Sequence, residues 1–146
     1  MSKKRIAILY GGRSVEHGVS VNSARNIFQF IDRKKFKPFL IGITEKGTWF
    51  HTKDVTSKIK TGEKLSLELS ASKPVFKTKK KSFTPDIVFP VLHGTDGEDG
   101  SIQGLIKAMG LPMVGTGVLG SAMAMNKMIA NKLKQEAKLP VAEFSY

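Results

Sequence analysis

Residues 93–104 read His93-Gly94-Thr95-Asp96-Gly97-Glu98-Asp99-Gly100-Ser101-Ile102-Gln103-Gly104. One histidine, three carboxylates and four glycines stand in twelve residues. An apolar run, Ile87-Val88-Phe89-Pro90-Val91-Leu92, leads into it. A helical pattern, with Ile102, Leu105, Ile106 and Met109 on one face, leads out. Glycine is used where the backbone needs positive φ or must lie close to another group. A buried strand, a glycine-rich loop and a helix in that order make the passage at which open α/β sheets bind ligands, outside the carboxyl ends of their strands.

Read outward from this loop, the chain repeats the pattern. Arg5-Ile6-Ala7-Ile8-Leu9-Tyr10 is short, continuous and apolar and ends at Gly11-Gly12, which reads as a buried first strand. The loop from Gly11 to Gly18 follows, then a helix from about Val19 to Ile31. Ser20 is its expected cap, and Val21, Ala24, Phe28 and Ile31 form its apolar face. Phe36 to Ile43 is a second strand. Thr48 to His51 is a short strand after a turn at Glu45-Lys46-Gly47. After Leu92 and its loop, Asp99 or Ser101 is expected to cap the helix that ends near Met109, and Gly110-Leu111-Pro112 stops it. Met113 to Gly115 reads as a short strand and Val118 to Met125 as a close-packed helical stretch. Asn126 caps a last helix to about Ala137, with Met125, Met128, Ile129 and Leu133 expected inward. Leu139 to Phe144 reads as the start of another strand. Alternating strands and helices predict an α/β fold: an open, mostly parallel sheet with right-handed crossovers and helices on both faces.

The exception is residues 52–84. Leu65, Leu67 and Leu69 alternate as in an edge strand, and Val75-Phe76-Lys77 is its expected partner. The stretch as a whole reads as an irregular, Lys-rich, β or loop excursion. It holds nine lysines against Asp54, Glu63 and Glu68, which supplies half of the net charge of +12. It has no Arg, and its only aromatics between Lys53 and Thr84 are Phe76 and Phe83. A solvated lysine surface therefore fits better than a nucleic-acid interface, which needs groups to stack on and read bases. The chain has no cysteine, so it has neither disulfides nor thiolate metal ligands. Its N-terminal apolar run of five residues, Ile6 to Tyr10, is too short for a secretory signal. A cytoplasmic protein with no membrane partner is expected. The length of 146 residues suits one domain with a real core.

Three glycine-rich loops lie before helices, whose free N–H groups favour anions. The first offers Arg13, Glu16 and His17, the second His93, Asp96, Glu98 and Asp99, and the third is Gly115-Thr116-Gly117. Gly11, Gly12 and Gly18 fit neither the dinucleotide fingerprint nor the P-loop. No His-x-His or His-x-x-x-His spacing supports a metal. From the residues alone this is a site for a small polar or anionic ligand, with a carboxylate able to pair with an ammonium.

Four stretches carry a resemblance to a known family. They are Ile6 to Ser23 (IAILYGGRSVEHGVSVNS), His93 to Gly104 (HGTDGEDGSIQG), Leu111 to Lys127 (LPMVGTGVLGSAMAMNK) and Leu139 to Phe144 (LPVAEF). They resemble the N-terminal domain of the D-alanine–D-alanine ligases, which are ATP-grasp enzymes, and the second and third are specific in order, spacing and content. The resemblance implies a Rossmann-like domain over residues 1–138, with 139–146 beginning the ATP-grasp region. It also implies a reaction. ATP phosphorylates the carboxylate of one D-alanine, and the amine of a second displaces phosphate to give the dipeptide of peptidoglycan. By the same resemblance Glu16 holds the ammonium of the first D-alanine, His93 lines the same pocket, and Lys127 lies near the nucleotide phosphates. Glu98 and Asp99 shape the loop. The residues for adenine and Mg²⁺ are expected outside this chain, and the enzymes are typically homodimers. Two positions depart from the family pattern: Gly18, where Glu is usual, and Asn126, where Asp is common. The chain by itself is expected to release no phosphate from ATP and D-alanine, and its end at Tyr146 reads as a boundary within a longer protein. The alternative readings are a dimerisation or small-ligand-binding module and, behind it, a basic nucleic-acid-binding domain.

Overall fold

The computed structural model describes residues 2–69 and 74–144. Residues 70–73 of the lysine-rich excursion and the expected boundary at Tyr146 lie outside the described residues. Strand β1 (Lys4–Gly11) is followed by helix α1 (His17–Phe30), β2 (Phe36–Ile43) and β3 (Trp49–Thr52). A 3-10 turn at Ile59–Thr61 precedes β4 (Glu63–Lys64), β5 (Ser66–Glu68), β6 (Val75–Lys77) and β7 (Ser82–Phe83). Then come β8 (Ile87–Pro90), α2 (Ser101–Ala108), α3 (Val118–Met125) and α4 (Lys127–Glu136).

The main sheet has the order β4-β3-β2-β1-β8. β1 is its axis and pairs in parallel with β2, Lys4 opposite Phe36, and with β8, Ile6 opposite Ile87. β3 and β4 add an antiparallel edge. The last six residues of β1 are buried because both faces of the sheet are covered. Period-2 alternation sends Ala7, Leu9, Ile41 and Ile43 to one face, against Ile102, Ile106 and Met109 of and just after α2. Ile8, Tyr10 and Leu40 point to the other, against Val21 and Ala24 of α1. Helices thus lie on both faces, as the alternating pattern predicts.

The excursion is more ordered than its composition suggests. β5, β6 and β7 form a separate antiparallel sheet, with Leu67 opposite Phe76 and Phe76 opposite Phe83, so the expected partnership of the Leu65–Leu69 stretch with Val75–Lys77 is present. Leu65, Phe76 and Phe83 enter the α2-side core, where the rings of Phe39 and Phe83 stack with centroids 4.4 Å apart. Val55 and Ile59 enter the α1-side core. A few apolar residues are enough to clasp both faces of the sheet, while the lysines among the described residues of the excursion remain exposed.

Several expectations are corrected. α1 begins at His17, and Ser20 does not cap it: the cap position is Glu16, and Ser20 is a fully buried residue inside the helix. The cap position of α2 is Gly100, at φ 99°, rather than Asp99 or Ser101. Met113–Gly115 makes a single parallel bridge, Val88 to Met113, instead of a strand, because one turn of chain passes the edge of β8 between Pro112 and Val114. No strand forms within residues 139–144. Met125, at the end of α3, and Met128, Ile129 and Leu133 of α4 are 41–44% exposed rather than inward; the main packing partner of α4 is the short helix α3. Asn126 does cap α4, its side-chain oxygen accepting from the Ile129 N–H at 3.1 Å.

Candidate functional site

The parallel strands β1 and β8 deliver the two glycine-rich loops to one sheet edge, the carboxyl ends. Both loops are built on backbone that only small or turn-forming residues adopt. Gly11, Gly12, Gly94 and Gly100 have φ between 70° and 99°, and Asp96 joins them at φ 66°. Asp96 is held there by its neighbours: its N–H donates to Asp99 Oδ2 at 2.9 Å, and its carbonyl accepts from the Ile102 N–H at 3.2 Å. Glu98 Oε2 accepts the Gly94 N–H at 2.8 Å, and the Gly97 carbonyl accepts Gln103 Nε2 at 2.7 Å. Most carboxylates of residues 93–104 are therefore spent on the loop's own amides.

Asp99 shows this in its titration. The amide of Asp96, and behind it that of Ser101, holds its carboxyl below the usual carboxylate range. A depressed folded pKa contributes stability that is complete above the unfolded value and is lost as pH falls through the folded one. We therefore expect thermal melts to show a loss that begins below about pH 4. Asp99→Asn should lower stability at pH 7 by about 1 kcal/mol and flatten that acid slope. An unaltered slope in the variant would show that Asp99 contributes nothing to it.

The first loop meets the second at Gly94. A methyl group placed on Gly94 would stand 2.5 Å from both Glu16 Oε2 and Ser14 Oγ. The Glu16 carboxylate thus lies directly over the Gly94 backbone, next to His93. Ser14 orients this turn by accepting the Glu16 N–H at 3.1 Å. Arg13 spans the loops, its Nε 3.2 Å from Asp96 Oδ2, but the pair is 65% and 46% exposed and contributes little to stability. His17 is committed to structure, with Nδ1 2.8 Å from the Gly12 carbonyl. An open cleft of about 200 Å³ lies between the loops, lined among others by Gly12, Arg13, His93, Thr95 and Ser101.

The predicted site residues are therefore only partly assembled. Glu16 and His93 come together at Gly94; His93 is in the cleft wall, and Glu16, over the Gly94 backbone, is not among the residues that line it. Lys127 is elsewhere: it is exposed, at the first position of α4, and does not line this cleft. Among the described residues no group of three or more His, Asp and Glu side chains is placed to hold a metal ion. No helix among them is long and apolar enough to cross a membrane.

Three residues of the site were not read as such from the sequence, Ser20 being expected only as a helix cap. Ser20 accepts the Gly11 N–H at 2.8 Å and donates to the Val91 carbonyl, joining both loops to α1. Ser23 reaches His93 Nε2 at 3.2 Å. Gln103 holds Gly97. The available signal was a pair of hydroxyls three residues apart, beside Val21 and Ala24 on the core-facing stripe of α1.

Comparison with known proteins matches residues 5–116 to the family model for the D-ala D-ala ligase N-terminus. The chain belongs to this family. A D-alanine–D-alanine ligase of Thermoanaerobacter sp. (strain X514) is 42% identical over 154 residues, covering 99% of this chain and 43% of its own length. The D-alanine–D-alanine ligase structure from Coxiella burnetii superimposes with a TM-score of 0.89 at 30% identity, over 98% of this chain and 44% of that one. The VanG D-Ala:D-Ser ligase of Enterococcus faecalis does so at 0.84 and 34%, over 97% and 44%. The ligase N-terminal domain described here thus spans less than half the length of the relatives it matches. Membership favours neither the nucleic-acid nor the free-standing binding-module alternative.

Proposed function

We propose that this domain is the first-substrate half of an ATP-dependent D-alanine–D-alanine ligase of peptidoglycan synthesis. The convergence of Glu16 with the His93 loop at Gly94 carries the reading. A D-alanine zwitterion needs an anion for its ammonium and an open path for its carboxylate. Glu16 is an exposed carboxylate at the start of α1, beside the positive end of that helix and over a glycine that leaves room for it. It pairs with the ammonium and so orients the substrate carboxylate for activation. His93, in the wall of the adjoining cleft, lines the same pocket.

ATP, when bound, supplies the phosphoryl group for that activation. Lys127 fits such a nucleotide, as an exposed cation beside the free amides that open α4. In this reading the residues that hold Mg²⁺ and adenine lie outside this chain, as the family resemblance implies. In this reading residues 139–146 lead into the ATP-grasp domains, and the whole protein works as a cytoplasmic homodimer. Glu16→Gln, made in a ligase carrying this domain, is expected to raise KM for the first D-alanine and lower turnover. The loss in kcat/KM should be about 10- to 100-fold, the value of a charge-assisted contact. Unchanged kinetics would remove Glu16 from the substrate site.

A further inference from the structure

His93 is gripped on both edges of its ring. Nε2 stands 3.2 Å from the Ser23 hydroxyl of α1. Nδ1 faces Glu98 Oε1 at 3.9 Å, too long for a hydrogen bond but close enough for its charge to be felt. Glu98 is not free to leave, because its other oxygen accepts the Gly94 N–H at 2.8 Å. At that separation the negative charge of Glu98 favours, in the neutral imidazole, the tautomer with its proton on the nitrogen that faces the carboxylate, Nδ1. Nε2 is then the acceptor, and Ser23 the donor. Two elements far apart in sequence thereby set both the rotation and the tautomer of one side chain.

We propose that Ser23 is a positioning residue for His93, fixing the imidazole in its Nδ1–H form with Nε2 tied to α1, and that Glu98 completes the arrangement. Resting on the reading of His93 as a substrate-pocket residue, this adds a specificity element to it. The ring presents one defined face to an amino-acid substrate instead of rotating between two. The hydroxyl contributes nothing to the chemistry directly and acts only through the ring. Ser23 is half-buried on a helix, where alanine is well tolerated, so its removal leaves the fold intact.

The test has two parts. In ¹⁵N-labelled chain, the ring nitrogens of His93 report the tautomer, with His93→Gln used to assign them among three histidines. Wild type is expected to show the Nδ1–H form, Ser23→Ala an averaged ring, and Ser23→Thr the wild-type pattern. In a ligase carrying this domain, Ser23→Ala should raise KM for the first D-alanine about fivefold, the size expected for one hydrogen bond, with kcat unchanged and Ser23→Thr restoring it. If His93→Gln raises KM while Ser23→Ala moves neither the ring nitrogens nor KM, the positioning role is overturned and the reading of His93 stands. If His93→Gln leaves KM unchanged, the reading itself falls, and the proposal with it.

Discussion

Gly11→Ala is expected to destabilise the domain by about 3 kcal/mol or more, through left-handed strain and a backbone clash together. For a chain of this size that is a drop in melting temperature on the order of 10 °C. Gly11 ends β1 at φ 89°, where an L side chain is strained whatever the space around it. Here the space is also missing. A Cβ would run into the Ile43 carbonyl oxygen and come within 3.0 Å of both His17 Cε1 and Ile59 Cδ1. The Ile43 carbonyl is already the acceptor for the Gly12 N–H at 2.8 Å, the bond that turns the chain out of the sheet. The variant must therefore break the β1–β2 register at its last pair or expel the first loop. Gly18→Ala is the control: its Cβ meets nothing within 4 Å, it lies in α1, and it should stabilise slightly. Equal melting temperatures for the two variants would contradict the account of Gly11.

Ser20→Ala is expected to cost about 2 kcal/mol, although it removes one oxygen atom. The side chain is 0% exposed, and its hydroxyl serves two backbone groups at once, the Gly11 N–H and the Val91 carbonyl. Removing it leaves a donor and an acceptor buried and unpaired, which costs more than the bonds contributed. The two groups lie at the end of β1 and just past the end of β8, so the loss falls on the joint between the two loops. Amide exchange should therefore quicken at Gly11 more than at Ile8, which lies deeper in the same strand. A melting temperature within a degree of wild type would mean that water replaces the hydroxyl.

Which parts of this could be read in advance follows from how local the deciding forces are. β1 and β2 were legible because burial on both faces demands unbroken apolar runs, and Phe36–Ile43 matches to the residue. Asn126 was legible because a cap is a local bond. Ser20 was misread for the same reason: near a helix start a serine suggests a cap, and only the tertiary fold brings Val91, 71 residues away, to its hydroxyl. Met128, Ile129 and Leu133 show the converse limit. Their helical spacing was read correctly, but spacing says which face is apolar and not whether anything covers it. At the site, Glu16 and His93 were named from family resemblance, and their meeting at Gly94 is a product of strand order. The hydroxyl of Ser23 carries no local signature.

The bridge between Val88 and Met113 bears on how copies of this chain can associate. A parallel sheet with an open border is a template for further strands. Here the outward N–H of Val88 is taken by the Pro112 carbonyl, and the Val88 carbonyl by the Val114 N–H. Two residues on, the next outward position is Pro90, which has no N–H to offer. The opposite border is β4, two residues long and charged, Glu63-Lys64. Neither border can seed strand addition, so the sheet is closed to growth from both sides. At the main sheet, any pairing of subunits is left to helices and loops, and strand addition would have to use the separate β5-β6-β7 sheet.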